Sequence, residues 1–311
     1  MKTKILLTLT FVLIISCKTD KKEKTNHSVA TEKIDNSIEV VTNVMDFVCV
    51  DTIKSGWNTF KYINKSNEPH FLMFDDYPDD KTIDTIKSQV MKPFDDGMMY
   101  IMKGDMDAAM NAFGALPEWF QDVKFVGGTG LISPGMTANV TIKLEPGFHI
   151  MECYVKMENG MFHASMGMAK ELYILEEDSG NQPPEADINI TISSTEGIVY
   201  NKEITKGNHI ISVFFKDQIV HENFVGHDVN LVKLSDNANL DELEAWMNWM
   251  NPKGLISPAP EGVTFLGGVN NGLTGNIQYF EVNLEPGNYA FIAEVPNSKS
   301  KGMFKTFSII E

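Results

Sequence analysis

Residues 126–154, VGGTGLISPGMTANVTIKLEPGFHIMECY, are answered by residues 266–294, LGGVNNGLTGNIQYFEVNLEPGNYAFIAE. Gly127-Gly128 recurs as Gly267-Gly268, and Leu144-Glu145-Pro146-Gly147 as Leu284-Glu285-Pro286-Gly287. Further on, Gly160-Met161-Phe162 pairs with Gly302-Met303-Phe304. A unit written twice predicts two tandem domains, which a chain of 311 residues also favours. Inside the repeat, ANVTIKL and YFEVNL alternate apolar and polar residues, the signature of strands with one face on a core and one in water.

Working outward, short strands separated by Gly, Pro and Asn turns are predicted at Trp57–Ile63, Ala138–Leu144 and Phe148–Val155, then at Ile210–Phe215, Tyr279–Leu284 and Tyr289–Val295. The class is all-β: two tandem Greek-key β-sandwiches. Helical insertions are expected over roughly 81–120, from the spacing of Met98, Met102, Met106 and Met110, and over Asn239–Met250, with Asp236 or Asn239 as cap. The acidic stretch EEDSGNQPPEAD with Pro183-Pro184 reads as a linker. The expected units are 39–177 and 187–311, joined by 178–186.

The chain opens with Lys2 and Lys4, an apolar run from Ile5 to Ile15, then Ser16 and Cys17. Residues 1–16 therefore read as an export signal peptide, too short to remain as a spanning helix. Ile14-Ile15-Ser16-Cys17 resembles a bacterial lipobox, which implies lipidation of Cys17. Lys18 after the cysteine does not resemble an inner-membrane retention signal, so an outer-membrane location in the cell envelope is implied. Residues 17–38 are polar and charged, a flexible tether from that anchor.

The formal charge is −16, and the chain contains no arginine. Such an acidic surface, without the guanidinium fork that grips phosphate, excludes nucleic acid as a partner. Cys49 and Cys153 are the body cysteines, so in an exported protein a Cys49–Cys153 disulfide competes with any metal role for Cys153.

That role is suggested by ECYVKMENGMFHASMGM, where Cys153, His163 and Met168 fall together, and by His70 in NKSNEPHFLMF. One thiolate, two imidazoles and a thioether are the donor set of a blue-copper site. These segments resemble the cupredoxin family, in which a histidine follows an Asn-rich turn and a strand ends in cysteine before a loop bearing histidine and methionine. The resemblance implies two cupredoxin-like sandwiches and one type 1 copper on His70, Cys153, His163 and Met168, with Met166 as the alternative axial ligand. It implies one-electron transfer with a redox partner protein, or copper holding with a copper donor. Glu152 stands where copper nitrite reductases have a histidine, so no nitrite chemistry is carried over.

The second unit offers Ala293 for Cys153 and Lys305 for His163, with no following methionine, while His227, with His221 as the alternative, corresponds to His70. It reads as a degenerate copy. The competing reading is a metal-free β-sandwich scaffold. His149 reads as structural, Cys49 as a buried strand residue, and the methionine series as an amphipathic stripe. Gly127-Gly128-Thr129-Gly130 lacks the ending of a phosphate loop, and no catalytic dyad stands out, so an enzyme is not expected.

Overall fold

The computed structural model describes residues 36–310; the signal peptide, Cys17 and nearly all of the tether lie outside them. Strands β1 (Ile38–Thr42), β2 (Thr52–Asn64), β3 (His70–Asp76), β4 (Lys124–Ile132), β5 (Thr137–Leu144), β6 (Gly147–Glu152) and β7 (Ala169–Asp178) belong to the first repeat. The second holds β8 (Ile188–Ser193), β9 (Gly197–Tyr200), β10 (Gly207–Phe215), β11 (Val229–Leu234), β12 (Val263–Val269), β13 (Ile277–Leu284), β14 (Gly287–Ile292) and β15 (Phe304–Ile309).

These strands form two facing layers that each run through both repeats. One is β1-β2-β5-β13-β10-β8-β9 and the other β7-β6-β3-β4-β12-β11-β14-β15, with the start of β2 also pairing β7. The fold is all-β, as the alternation predicts: β5 buries Ala138, Val140, Ile142 and Leu144 at every second position. The halves join edge to edge where Val140 faces Phe280 and Thr129 faces Val269. Each of these residues meets its own counterpart in the repeat, the arrangement that a two-fold relation produces. Pairing both edges also removes exposed backbone that would otherwise recruit other chains.

The glycine doublets have one job in both repeats. Gly128 and Gly268 have φ of 144° and 122°, and a Cβ on them would lie 1.9 Å from the Leu72 carbonyl oxygen and 2.0 Å from that of Val229. Only glycine lets β4 close on β3 and β12 on β11.

The insertion between β3 and β4 comprises α1 (Ile83–Ile86), a π-helical turn (Lys87–Met91), α2 (Lys92–Met102), α3 (Met106–Phe113) and a 3₁₀ turn (Glu118–Asp122). The single methionine stripe is corrected: Gly104, at φ 77°, divides α2 from α3. Met98 is therefore buried, while Met106 and Met110 are about half exposed. Ile86, Val90 and Met91 pack with Phe148, Ile150 and Ala164, so the insertion lies over β6 and α4 (His163–Met166). In the second repeat α5 (Leu240–Trp246) is capped by Asn239, whose side chain accepts from the Asp241 and Glu242 amides. Among the described residues no helix is long and apolar enough to cross a membrane.

Candidate metal centre

His70 opens β3, Cys153 follows the last residue of β6, His163 opens α4, and Met168 precedes β7; all four are fully buried. Backbone hydrogen bonds fold the loop into this shape. The Cys153 amide donates to the Met168 carbonyl at 3.1 Å, the Met168 amide to the His163 carbonyl at 2.9 Å, and the His163 amide to the Val155 carbonyl at 2.8 Å. Gly167, at φ 130°, permits the final turn, where a Cβ would sit 2.6 Å from the Met45 carbonyl oxygen.

Three donor atoms converge. Cys153 Sγ is 3.7 Å from His70 Nδ1 and 3.8 Å from His163 Nδ1, and the two Nδ1 atoms are 3.0 Å apart. The centre of that triangle lies about 2 Å from each atom, the length of a metal–nitrogen bond and near that of metal–sulfur.

The outer ring nitrogens explain why both Nδ1 atoms turn inward. His70 Nε2 is 2.8 Å from Ser66 Oγ, whose own hydrogen is directed to Asn64 Oδ1 at 2.7 Å or the Glu68 carbonyl at 3.1 Å. Ser66 therefore accepts from His70 Nε2–H, leaving Nδ1 as a lone pair. His163 Nε2 lies 2.9 Å from Glu68 Oε2, close enough for strong attraction although not aligned as a hydrogen bond. The carboxylate likewise favours a hydrogen on that outer nitrogen. Two inward lone pairs and a sulfur then face one point, an arrangement that a cation satisfies.

Burial sets the protonation states. It lowers His70 to about 3, aided by His163, and His163 to about 4, so both rings are neutral donors at ordinary pH. It pushes the Cys153 thiol up to about 12, against the backbone amides of Phe71 and Val155 that favour the thiolate. A metal would replace the thiol proton.

The structure answers the open alternatives. Cys49 and Cys153 are both free, so the competing disulfide is absent. Cys49 is half-buried in a bend following the bridge residue Val48 and is not on a strand. Met166 is 45% exposed on α4 whereas Met168 is wholly buried at the end of the loop that follows Cys153. His149 is buried on β6, 3.3 Å from the Gly147 carbonyl, and does not join the cluster. Sequence reading missed Asn64, Ser66 and Glu68 as the residues that hold the outer nitrogens. Their signal is alternate polar positions in NKSNEPH.

It also missed Lys156, which is buried and donates from Nζ to the Trp249 and Asn251 carbonyls at 2.6 and 3.0 Å. Its amide donates to the Leu255 carbonyl at 2.7 Å, so the second repeat braces the ligand loop.

Strand register bears out His227 as the counterpart of His70, and the loop hydrogen bonds correct the other equivalences. Met73 faces Glu152 and Asn230 faces Ile292, which places His227, not His221, at the position of His70. The Ala293 amide donates to the Met303 carbonyl and the Met303 amide to the Ser298 carbonyl, copying the bonds among Cys153, Met168 and His163. Ser298 is thus the counterpart of His163, in place of Lys305, and Met303 that of Met168, which corrects its pairing with Met161. The linear alignment failed because the loop 293–303 is five residues shorter than 153–168.

No family model and no curated protein matches the chain. Solved structures similar to it include auracyanin from Roseiflexus castenholzii, at 15% identity, 44% of this chain, 94% of that chain and a TM-score of 0.27. Auracyanin A, a "blue" copper protein from Chloroflexus aurantiacus, is 14% identical over 45% of this chain and 98% of its own, with a TM-score of 0.27. The blue copper oxidase from Nitrosomonas europaea is 12% identical over 87% of this chain and 85% of its own, with a TM-score of 0.22.

Proposed function

We propose that the protein holds one copper ion on His70, Cys153, His163 and Met168 and serves as a one-electron carrier. The convergence of His70 Nδ1, Cys153 Sγ and His163 Nδ1 on one buried point carries this reading. Copper bound there would supply a Cu(II)/Cu(I) couple with a thiolate donor. The chain's contribution is to hold the donors in one geometry and keep water out: Ser66 and Glu68 orient the rings, and Lys156 pins the loop. A site that rearranges little when its charge changes suits rapid electron transfer.

The segment 43–50 runs past this loop, with the Met45 carbonyl against Gly167, and its Val44, Val48 and Val50 are exposed. In this reading they give a redox partner protein an apolar place to dock. Export by residues 1–16, lipidation at Cys17 and a tether to residue 38 would hold the protein at the outer membrane. The units 39–177 and 187–311, joined by 178–186, would be a working copper sandwich and a supporting copy.

Copper titration of the full mature chain, followed by visible absorption, tests the reading. The expected result is one equivalent bound with intense colour, lost in Cys153→Ser; a colourless protein under excess copper overturns it.

A further inference from the structure

A cavity of about 90 Å³ lies beside the donor cluster, with walls from both repeats. Phe94 on α2 is its hub: its ring is 6.4 Å from Phe162, 5.6 Å from Phe224 and 6.1 Å from Trp249, measured between centroids. All four rings line the space, with Met73 and Met91. Phe224, a non-glycine residue at φ 65°, sits at the rim, 42% exposed, and reaches from the second repeat over the helical insertion of the first. A strained backbone that places a large apolar ring over an opening is consistent with a functional cap.

The polar residues lining the cavity are Glu152, Asn271, Ser165, Tyr77 and Tyr154. Glu152 faces the cavity and shares a hydrogen bond with Asp75 behind it, which is wholly buried. Asn271 is 6% exposed, and its Oδ1 has no hydrogen-bond partner. The Tyr154 hydroxyl is already committed to Glu294 Oε2 at 2.7 Å. The lining includes no lysine or histidine. A carboxylate, an unpartnered amide oxygen and aromatic faces together reject anions and select a donor-rich cation.

We infer that this cavity binds a small organic cation, a primary ammonium with an apolar body, its charge on Glu152 and Asn271 and its body between Phe94, Phe224 and Trp249. The size limits the body to a few carbons, judged against the cavity of roughly 150 Å³ that takes benzene. The site does not require copper, although Glu152 adjoins Cys153 and Phe162 adjoins His163.

Isothermal titration of the metal-free full-length chain with n-butylammonium, 1-butanol and butyrate decides the matter, because the three share a body and differ in head group. Butylammonium should bind at least tenfold more tightly than butanol, and butyrate should not bind. Glu152→Gln should lower butylammonium affinity tenfold or more while leaving butanol unchanged, the scale expected for a charged hydrogen bond. Trp249→Leu should weaken both. Equal binding of butylammonium and butanol, preferential binding of butyrate, or no butylammonium binding to the folded wild-type chain overturns the inference. Each outcome is independent of whether copper colours the protein.

Discussion

The two repeats share more of the candidate centre than their sequences suggest. His70 has His227 at its position and Met168 has Met303, both buried, whereas Cys153 is matched by Ala293 and His163 by Ser298. A histidine and a methionine at these positions thus belong to the fold's packing as much as to any metal. Cys153 and His163 distinguish the first repeat. The shared histidine is also used differently. His227 places Nε2 2.8 Å from His221 Nε2 and Nδ1 3.1 Å from the Asp217 carbonyl, so both its nitrogens are engaged away from a ligand point. His70 engages its outer nitrogen with Ser66 and turns Nδ1 toward Cys153 Sγ and His163 Nδ1.

Replacing Cys153 by Ala, the residue of the second repeat, should have the largest effect: complete loss of the visible band in copper-loaded protein. His163→Ser, the other natural replacement, should also abolish the colour while circular dichroism keeps its β-sheet form. The reverse graft sharpens the contrast. Ala293→Cys with Ser298→His should give no second coloured centre, because His227 remains tied to His221 and Asp217; a second equivalent of blue copper would show that the sandwich alone suffices.

Proton linkage gives the next test. Both histidines are depressed to about 3 and 4 and are neutral above pH 5, while Cys153 is raised to about 12 and still carries its proton. Copper(II) binding to the first repeat should therefore release one proton, and affinity should rise about tenfold per pH unit between pH 5 and 8. Below about pH 4 the histidines also protonate and the dependence should steepen. Calorimetry in buffers of different ionisation enthalpy measures the proton count, and a count of zero would remove Cys153 from the ligand set.

Smaller effects separate ligand from packing. Met168→Gln offers a stronger axial donor and should lower the reduction potential while the colour persists, whereas Met303→Gln should leave the potential unchanged. Glu68→Gln removes a negative charge beside His163 and should raise the potential by a modest amount, read by redox titration.

Much of the fold was legible because β-strands reveal themselves locally. Alternation placed β5 and β13 within two residues, and the repeated glycine doublets marked the close approaches of β4 and β12. The helical insertion was harder: four methionines at equal spacing imply one helix, but a left-handed glycine between the second and third turns the chain and exposes half the stripe. The candidate donors could be named from residue type and spacing, since sulfur and imidazole are scarce and conspicuous. The residues that orient them could not, because Ser66 and Glu68 are ordinary polar residues until the turn before β3 folds back on His70 and α4 brings His163 within 3 Å of Glu68.

The sequence alone determined the duplicated all-β plan and the chemistry available at positions 70, 153, 163 and 168, because periodicity and donor type are properties of the chain itself. Tertiary structure alone decided that three of those donors meet, that Cys49 stays apart from Cys153, and that Ser298 and Met303 are the true counterparts in the second repeat. Equivalence and convergence depend on strand register and loop length, which hydrogen bonding between distant segments sets.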